Sequence, residues 1–532
     1  MTPVSPPELK AMLRDGDELA LIDVREEGAH SAGHPFYAAP APLSRLELLA
    51  PRMVPRRSAR VVLLDDASGL AERAAAVLEG LGYSDVHVLE GGIEAWRDAG
   101  YVLFSGVHVP SKAFGELVEH DCGTPHIEAT ALKALMDEGS PLVVLDSRPL
   151  DEFRVMSIPG GIDCPGAELA YRVHDLAPNP DTLVVVNCAG RTRSIIGAQS
   201  LINAGIPNRV VALKNGTMGW HLSGLALERG QERSAGTPSA QGLQKARACA
   251  RDVAARHGVP LIDRETLARW QAEAESRTLY LLDVRSPEEY AAGHPRGVPS
   301  APGGQLVQET ETWCATLGAR IVLVDDTGVR ATMTAHWLRQ MGWDAAVLGG
   351  GLDGFALETR SWRDAPPGIA GAAANALDPA ALQSLLEAEE AVVLDLGNSR
   401  GFAAGHVPGA WWAVRARLAQ SLPRLPRAAR LVLTSEDGIV ARLAAPEASE
   451  LTGAEVQVLE GGTAAWREAG LPLEEGLERL ADERDDVWLK PYDHGQDVEA
   501  RMRQYLTWEV DLLGEVARDG DHRFALTPQA AR

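Results

Sequence analysis

The sequence is poor in cysteine, and its few cysteines form no pattern that would hold a metal or a set of disulfides. The 532 residues include five, at positions 122, 164, 188, 249 and 314, with no Cys-x-x-Cys pair and no cluster with histidine. A zinc site and a disulfide framework are therefore not expected. A sparse, odd count is typical of a protein kept in a reducing cytoplasm. We expect neither a metal nor a cofactor.

Long apolar runs and an excess of positive charge are also missing. No stretch is long enough to span a bilayer, and residues 1–7 lack the apolar core of a secretory signal. Lys and Arg number 51 against 74 Asp and Glu, which gives a net charge of −23. This acidity argues against nucleic acid or an anionic membrane surface as a partner. The sequence is typical of a soluble cytoplasmic protein.

What the chain contains is one pattern repeated four times. An apolar strand ending in an acidic-x-basic triplet occurs at 21–25, 144–148 and 281–285, and a fourth copy at 393–397 lacks the arginine. A second apolar strand with a polar turn follows at 61–66, 184–188, 321–326 and 431–436, and a glycine turn then precedes Trp96, Trp220, Phe355 or Trp466. The aspartate of the triplet precedes the polar turn by 41 to 43 residues in every copy. Spacing this constant indicates a tandem array.

Each repeat alternates strands with helical patterns, such as 70–81 and 332–341. Such alternation predicts an α/β fold, with a mainly parallel sheet and helices on both of its faces. We place the four domains at 1–105, 125–230, 258–363 and 378–475, joined by segments 106–124, 231–245 and 364–377. The tail, 476–532, approximates an amphipathic helix between Val498 and Val516. We expect it to dock on the array; a dimer or partner surface is the alternative.

The polar turn of the second repeat predicts a reactive cysteine. Cys188 follows the apolar run 184–187 and precedes a helical pattern, with Gly190, Arg191 and Arg193 beside it. A helix N-terminus and nearby cations lower the pKa of a thiol, and the glycine lets backbone N–H groups form an anion nest. A buried, inert cysteine is the alternative. When the turns are aligned, the other three repeats carry Asp66, Asp326 and Glu436 at this position, and so lack a nucleophile.

These motifs resemble the rhodanese family. Gly-His-Pro occurs at 33–35 and 293–295, Gly-His-Val-Pro-Gly occurs at 405–409, and each unit closes with a glycine turn and an aromatic residue. The resemblance extends to about residue 475 and implies four rhodanese-like domains of the bacterial thiosulfate sulfurtransferase type, of which only the second is catalytic. Its cradle, 188–193, has six residues. The related cell-cycle phosphatases have one more, in a Cys-x5-Arg pattern, which would place Ser194 where an arginine is needed. Phosphatase and arsenate reductase activities are therefore disfavoured.

The resemblance also implies a set of substrate-binding residues around the catalytic Cys188. We assign Ala189, Gly190, Arg191, Thr192, Arg193 and Ser194 to this set, together with Arg148 and Arg154. Arg191 and Arg193 suit the leaving sulfite because guanidinium is planar and always charged, and we expect at least one of them to face the pocket. Arg154 resembles the arginine that two-domain rhodaneses place opposite the nucleophile. The position of Arg148 at a strand end favours an ion pair with a carboxylate.

The expected reaction transfers sulfur in two steps. Thiosulfate gives its outer sulfur to Cys188 and releases sulfite, and the persulfide then passes that sulfur to cyanide in an assay or to a cellular thiol. Mercaptopyruvate or another organic donor remains open. So do a non-enzymatic persulfide carrier acting as an interaction scaffold, and a redox-sensing cysteine. The expected partners are a small sulfur donor and a thiol acceptor, without nucleic acid or membrane. A homodimer formed through the tail helix is the alternative to docking of that helix on the array.

Overall fold

The computed structural model describes residues 1–359 and 375–528, which form four α/β domains and a long C-terminal helix. Each domain has a mainly parallel sheet with helices packed on it, which confirms the expected fold class. The expected linker 364–377 lies outside the described residues except for its last three, which begin the fourth domain. In the described part of the chain, no helix combines the length and apolarity needed to cross a membrane.

The first two domains share one topology, and their central strands are mostly buried and mostly aliphatic. Domain 1 comprises β1 (Thr2–Val4), α1 (Pro6–Met12), β2 (Leu19–Asp23), α2 (Glu27–Ala32), β3 (Ala39–Pro40), α3 (Leu46–Met53), β4 (Val61–Leu64), α4 (Leu70–Gly80), β5 (Val86–Leu89) and α5 (Gly92–Asp98). After α6 (Val109–Cys122), domain 2 comprises β6 (His126–Ile127), α7 (Ala129–Asp137), β7 (Leu142–Asp146), α8 (Leu150–Val155), β8 (Ile162–Asp163), α9 (Leu169–Leu176), β9 (Leu183–Asn187), α10 (Thr192–Ala204), β10 (Val210–Leu213) and α11 (Gly216–Leu222). The sheet of domain 2 is parallel throughout, in the order β6-β10-β9-β7-β8.

Domains 3 and 4 follow the same plan. After α12 (Ala240–His257), domain 3 comprises β11 (Leu261–Ile262), α13 (Arg264–Ala272), β12 (Leu279–Asp283), α14 (Pro287–Ala292), β13 (His294–Pro295), α15 (Gly303–Gln308), α16 (Thr310–Trp313), β14 (Thr316–Leu317), β15 (Arg320–Val324), α17 (Val329–Gln340), β16 (Asp344–Leu348) and β17 (Leu357–Glu358). Domain 4 comprises β18 (Asn375–Leu377), α18 (Pro379–Glu387), β19 (Ala391–Asp395), α19 (Ser399–Ala404), β20 (Trp411–Trp412), α20 (Leu418–Ser421), β21 (Arg430–Thr434), α21 (Ile439–Leu451), β22 (Glu455–Leu459) and α22 (Gly462–Glu468). Their main sheets run β11-β16-β15-β12 and β18-β22-β21-β19-β20.

Two of the segments expected to connect domains are helices. Segment 106–124 contains α6, and the last six residues of 231–245 already belong to α12. The hydroxyl of Ser239 accepts the N–H of Gly242 at 3.0 Å and so caps α12 at its start. Helix α12 then packs between α9 of domain 2 and α17 of domain 3. The polar composition of 231–245 therefore marks a domain boundary with a packed helix in it, rather than a flexible linker along its whole length.

The domains are joined by shared structure. Strand β14 of domain 3 pairs antiparallel with β2 of domain 1, with Thr316 opposite Ala20 and Leu317 opposite Leu19. One sheet is thus built from two domains.

The C-terminal helix α23 (Val498–Asp519) docks on the array, as expected. It packs along α6 and buries its apolar face, which includes Met502, Leu506, Leu512 and Val516. At its end, Lys10 of domain 1 pairs with Asp519 at 2.8 Å and Asp521 at 2.5 Å. The apolar stripe is therefore used within the chain, and the homodimer remains a prediction.

Candidate active site

Cys188 lies where the sequence predicts it, at the carboxyl end of a central strand. It follows β9, and α10 begins four residues later. The turn is held from the other side by the start of α11, where Thr217 donates its N–H to the carbonyl of Cys188 at 2.9 Å and Met218 donates to that of Ala189 at 3.0 Å. Gly216 makes this approach possible, because it has φ +55° and any side chain there would overlap the Cys188 carbonyl.

The thiol itself is almost completely buried. Cys188 is 2% exposed, and its Sγ lies 3.5 Å from the hydroxyl of Ser194, which donates to the carbonyl of Arg191 at 2.7 Å. Burial raises the pKa of the Cys188 thiol, and the negative charge of Glu509 adds to this effect, while Arg193 and Ser194 oppose it. The expected low pKa is therefore wrong for this arrangement, because loss of solvent outweighs the nearby cation.

The strand registers correct the alignment of the four turns by one residue. The aspartate that ends the first central strand pairs in each domain with the last residue before the turn: Asp23 with Leu64, Asp146 with Asn187, Asp283 with Val324 and Asp395 with Thr434. The residues equivalent to Cys188 are therefore Asp65, Asp325 and Ser435. The expected Asp66, Asp326 and Glu436 each come one residue later. The conclusion that only domain 2 carries a cysteine nucleophile is unchanged.

The equivalent turns of domains 1 and 3 hold their own carboxylates. Asp65 accepts the N–H groups of Ala67 at 2.9 Å and Ala71 at 3.1 Å, and Asp325 accepts the N–H of Gly328 at 2.7 Å. Backbone N–H groups of this turn thus point at the side chain of its first residue, as they do in anion-binding nests. In domain 2 the backbone N–H of Ser194, at the position equivalent to Ala71, points at the Cys188 thiol, which suits the turn to stabilise a negative sulfur.

Arg191 does not face the pocket. Its guanidinium bonds both carboxylate oxygens of Glu116 at 2.7 Å, pairs with Glu119, and reaches Asn215 at 3.3 Å. Both glutamates lie on α6. The sequence predicts that the positive charge of Arg191 binds substrate. In the structure this charge instead fixes the cradle against α6.

Arg193 is the arginine that lines the cavity. Its two terminal nitrogens bond the Glu152 carboxylate at 3.0 and 2.9 Å, and one of them reaches Gln305 of domain 3 at 3.2 Å. Lys490 of the tail shares the same carboxylate at 3.1 Å. Burial alone would raise the pKa of Glu152, but the two cations hold it well below its usual range. The charged residues that line the cavity are four cations, Lys112, Arg193, Arg400 and Lys490, and three carboxylates, Glu27, Glu152 and Glu309. The cavity thus has a small excess of positive charge, which suits an anionic ligand.

The other two predicted arginines lie elsewhere. Arg148 is fully buried and bonds Asp146 through two nitrogens at 2.8 Å and the carbonyl of Met156 at 2.7 Å, so it is the structural ion pair that its strand-end position favours. Arg154 is partly exposed on α8 and pairs with Glu232 at 2.9 Å. Neither lines the cavity, and substrate-binding roles for them have no support in their positions.

A cavity of about 360 Å³ opens beside the cradle, and described residues of all four domains, α6 and the tail line it. Its walls include Glu27 of domain 1, Arg193 of domain 2, Gln305 of domain 3, Arg400 of domain 4, Lys112 of α6 and Tyr505 of the tail. Ala189 lines it next to Cys188. The sequence left open whether a domain without cysteine shapes this mouth; domains 1, 3 and 4 all do.

The tail helix places a buried carboxylate against the cradle. Glu509 is 1% exposed, and its Oε1 accepts the hydroxyls of Tyr505 at 3.0 Å and Thr192 at 3.3 Å. A methyl group on Gly190 would come within 2.9 Å of its Oε2, which has no hydrogen-bond partner among the described residues. Burial raises the pKa of Glu509 to about 7. Thr192, expected to bind substrate, instead holds this carboxylate.

Lys112 lies in an aromatic cage between the cavity and Glu509. Its Nζ is 5.2 Å from the ring centre of Trp488, 5.5 Å from that of Tyr505 and 5.0 Å from that of Trp508. Burial lowers the pKa of Lys112 to about 8, and its charge lowers the pKa of Glu509 in return. The pair therefore changes its charge in the neutral range.

No motif in the sequence predicts a place in the site for Lys112, Lys490, Tyr505 or Glu509. One signal was available, because Tyr505 and Glu509 are four residues apart on the helix predicted for the tail and so share a face. Lys112 carries no comparable signal, because the three aromatic residues that surround its ammonium group follow it in the sequence by almost four hundred positions.

Comparison with known proteins matches all four repeats to one family, and nearly the whole chain to one solved structure. The rhodanese-like domain family matches at residues 5–99, 128–223, 263–358 and 378–469. A thiosulfate sulfurtransferase of Pseudomonas aeruginosa, known from its crystal structure, is 49% identical, with a TM-score of 0.95 over 99% of this chain and 100% of its own.

Two further relatives match a single domain each. An HTH-type transcriptional regulator of Mycobacterium tuberculosis is 30% identical over 109 residues, which is 20% of this chain, and the chain spans about half (47%) of the length of that curated relative. A structure from Rhodopseudomonas palustris, of a protein of unknown function, is 28% identical over 20% of this chain and 90% of its own, with a TM-score of 0.18. Each of these matches covers about a fifth of this chain.

Proposed function

The chain belongs to the rhodanese family of sulfurtransferases, and on this premise we propose that it moves the outer sulfur of thiosulfate through a persulfide on Cys188. The observation that carries the proposal is the cradle of domain 2. There a buried cysteine occupies the position at which domains 1 and 3 bind a carboxylate with backbone N–H groups.

In the first step, the Sγ of Cys188 attacks the outer sulfur of thiosulfate. The bond between the two sulfur atoms of thiosulfate breaks, and its electron pair leaves with sulfite. The enzyme keeps the outer sulfur as a persulfide. Arg193 and Lys490 are the cations placed to hold the dianion and then the leaving sulfite, and the cradle N–H groups stabilise the negative sulfur.

In the second step, a nucleophilic acceptor attacks the terminal sulfur of the persulfide. The bond between that sulfur and Sγ breaks, and its electrons return to Sγ as thiolate. Cyanide would leave as thiocyanate, and a thiol as a persulfide. Because Cys188 is so deeply buried, a protein thiol would reach it only if the tail helix moved. This supports a small acceptor over the carrier scaffold. Mercaptopyruvate or another organic donor remains the alternative to thiosulfate.

The proposal also gives Glu509 a role in forming the nucleophile. The Cys188 thiol and the Glu509 carboxyl face the same cradle, and ionisation of one opposes ionisation of the other. The reactive form is then the thiolate with Glu509 protonated, since two negative groups would repel thiosulfate. Such a pair titrates as a unit. Protonated Glu509 can donate a hydrogen bond from Oε2 toward the cradle.

Mass spectrometry of the intact protein tests the proposal. After brief treatment with thiosulfate, we expect the protein to gain one sulfur atom, located on Cys188, and to lose it on addition of cyanide. Cys188→Ser should gain none. Cys164→Ser is the matched control, since Cys164 is buried in the same domain and burial raises its pKa as well. Loading of sulfur in Cys188→Ser, or residual thiosulfate:cyanide activity, would rule the proposal out.

A further inference from the structure

The cavity beside Cys188 is larger than the proposed donor needs. Its volume is about 360 Å³. Thiosulfate has five heavy atoms, and at a water's share of about 30 Å³ for each of them it takes less than half of this space. Arg193 and Lys490, the cations that face the donor, share the Glu152 carboxylate and so lie together. Other parts of the wall have no role in the release of sulfite.

Domain 3 contributes a carboxylate to this wall. Glu309 directly follows α15, lines the cavity, and keeps 25% of its side chain exposed. Its Oε1 accepts the amide N–H of Gln305 at 3.3 Å. Its Oε2 has no hydrogen-bond partner among the described residues, since Nε2 of His108 lies 3.6 Å away, which is too long for a hydrogen bond. Glu309 can therefore accept a hydrogen bond from a ligand in the cavity.

The charges next to Glu309 are not balanced. His108 is the cation closest to it, but His108 lies closer to Glu311, at 2.7 Å. Burial would lower the pKa of His108, and the two carboxylates instead raise it above its usual value. One imidazolium is thus shared by two carboxylates. Burial raises the pKa of Glu309, and His108 offsets this only in part.

More distant charges do not remove the imbalance. Arg193 lowers the pKa of this carboxyl and Glu152 raises it, and those two residues are paired with each other. Lys112 also acts on Glu311, but more strongly on Glu509. This part of the wall therefore favours a ligand group with one positive charge, and an ammonium group supplies that charge together with three hydrogen-bond donors.

One amide group links this carboxylate to the cation beside the thiol. Oε1 of Gln305 accepts an N–H of Arg193 at 3.2 Å, and Nε2 of Gln305 donates to Glu309 at 3.3 Å. Arg193 also opposes the effect of burial on the pKa of the Cys188 thiol, so it lies close to the reacting sulfur. A ligand sulfur at Arg193 and a ligand nitrogen at Glu309 would therefore be only a few bonds apart.

We propose that Gln305 and Glu309 of domain 3 form an acceptor subsite, which selects thiols that carry a primary ammonium group two carbon atoms from sulfur. The inference rests on the proposed function, because it concerns the second step of that reaction. It gives a domain without a cysteine nucleophile a part in choosing the substrate.

After sulfite has left, the acceptor enters as a thiolate with an ammonium group. Its sulfur takes the place of sulfite at Arg193, and its ammonium group donates to Glu309. The acceptor sulfur attacks the terminal sulfur of the persulfide. The bond between that sulfur and Sγ of Cys188 breaks, and its electron pair stays on Sγ as thiolate. The product leaves as the persulfide of the aminothiol, so no further oxidant or reductant is needed.

Discharge of the loaded protein in a single turnover tests the subsite. The full chain is treated with thiosulfate, freed of excess donor, and mixed with cysteamine, 2-mercaptoethanol or 3-mercaptopropionate. These thiols carry an ammonium, a hydroxyl or a carboxylate group two carbon atoms from sulfur. Loss of the extra sulfur is followed by the mass of the intact protein. Because the thiols differ in intrinsic reactivity, each rate is compared between the wild type and Glu309→Gln, which keeps the shape of the side chain and removes its charge.

In Glu309→Gln we expect discharge by cysteamine to slow at least about tenfold, the effect of losing one charge-assisted hydrogen bond. Discharge by 2-mercaptoethanol should hardly change, and discharge by 3-mercaptopropionate should stay the same or become faster. Glu273→Gln is the matched control, since Glu273 belongs to the same domain but lies outside the cavity and pairs with Arg320 at 2.6 Å; its three rates should equal those of the wild type. Unchanged discharge by cysteamine in Glu309→Gln, or equal slowing of all three thiols, would overturn the proposal.

A second measurement needs only the wild type. Ethylammonium, which has the charged group without the thiol, should slow discharge by cysteamine competitively, and ethanol at the same concentration should not. Equal effects of the two compounds would contradict the subsite.

L-Cysteine distinguishes two sources of the ammonium group. Faster discharge by cysteine than by cysteamine would identify an amino acid as the acceptor, with Arg400 in the cavity wall as the partner for its carboxylate. Slower discharge would identify a simple aminothiol. A protein that takes up no sulfur on Cys188 would refute the proposed function and the subsite with it. A protein that takes up sulfur but shows no dependence on Glu309 in its discharge would refute the subsite alone.

Discussion

Replacing Glu509 with glutamine separates the charge of this side chain from its shape and tests how the thiolate forms. The amide keeps a hydrogen-bond donor beside Gly190 but cannot ionise. In the wild type, Glu509 ionises above a pKa of about 7, and its charge then opposes the Cys188 thiolate. The groups that face it are Lys112, Glu116, Tyr505 and Arg191, and none of these changes in the variant.

The size of the effect follows from counting protons. Above pH 7 the wild type must move a proton from Cys188 to Glu509 to reach the reactive form, so the fraction of that form no longer depends on pH. In Glu509→Gln the thiolate fraction instead rises about tenfold per pH unit until the thiol itself titrates. We therefore expect the variant to exceed the wild type about tenfold at about pH 8, equivalent to about 1.4 kcal/mol. Above that, Lys112, whose pKa is about 8, loses its charge, which raises the pKa of Glu509 and limits further growth of the difference.

The assay is kcat/KM for thiosulfate from about pH 5.5 to about pH 9, with the rate of Cys188 alkylation as a direct readout of thiolate. Glu499→Gln is the matched control, because Glu499 lies on the same helix but is exposed and paired with Arg503 at 2.9 Å; its profile should match the wild type. A Glu509→Gln profile parallel to the wild type would refute proton sharing. A uniform loss of activity would mean that Glu509 only supports the cradle.

Four further outcomes follow from the site. Arg193→Met should lower kcat/KM for thiosulfate about 10- to 100-fold, mainly through KM, since an ionic hydrogen bond contributes roughly 1.5–3 kcal/mol. Arg191→Met should instead lower the free energy of unfolding, measured in urea, by about 3–5 kcal/mol, because it leaves the buried charge of Glu116 without its partner. Asp325→Ala should cost roughly 1–3 kcal/mol in the same denaturation, through unpaired N–H groups of its turn, and leave sulfur loading on the second domain unchanged. Gly190→Ala should slow the loading of sulfur onto Cys188 at every pH, because its methyl group displaces the tail helix. Alkylation and sulfur loading of Cys188 at the wild-type rate would show that the tail helix packs loosely enough against residue 190 to accept a methyl group.

The parts of the site that follow from local pattern were predictable, and those set by distant packing were not. The apolar run before Cys188 and the glycine after it identify a strand-to-turn junction from a few residues. The one-residue slip arose because both Asp65 and Asp66 are acidic, as are Asp325 and Asp326, so composition cannot tell which of each pair starts the turn. Only strand pairing decides this.

Which of the two arginines lines the cavity could likewise not be predicted from the sequence. Arg191 and Arg193 are equivalent in composition, and the difference comes from Glu116, which α6 brings across about 75 residues of chain. The docking of the tail helix could be predicted from its apolar face. The place where it docks could not, because an amphipathic pattern tells which face is buried and not what covers it.

The strand that domain 3 contributes to domain 1 has a consequence for the order of assembly on the ribosome. Strand β2 leaves the ribosome early, but its antiparallel neighbour β14 is made about 300 residues later, which at typical synthesis rates of 5–20 residues per second is a delay of roughly 15–60 s. During that interval the edge of the first sheet is open to pairing with other chains. The cavity beside Cys188 is completed later still, when the tail has been released. A nascent chain therefore lacks the complete cavity until the tail residues up to Tyr505 have left the ribosome.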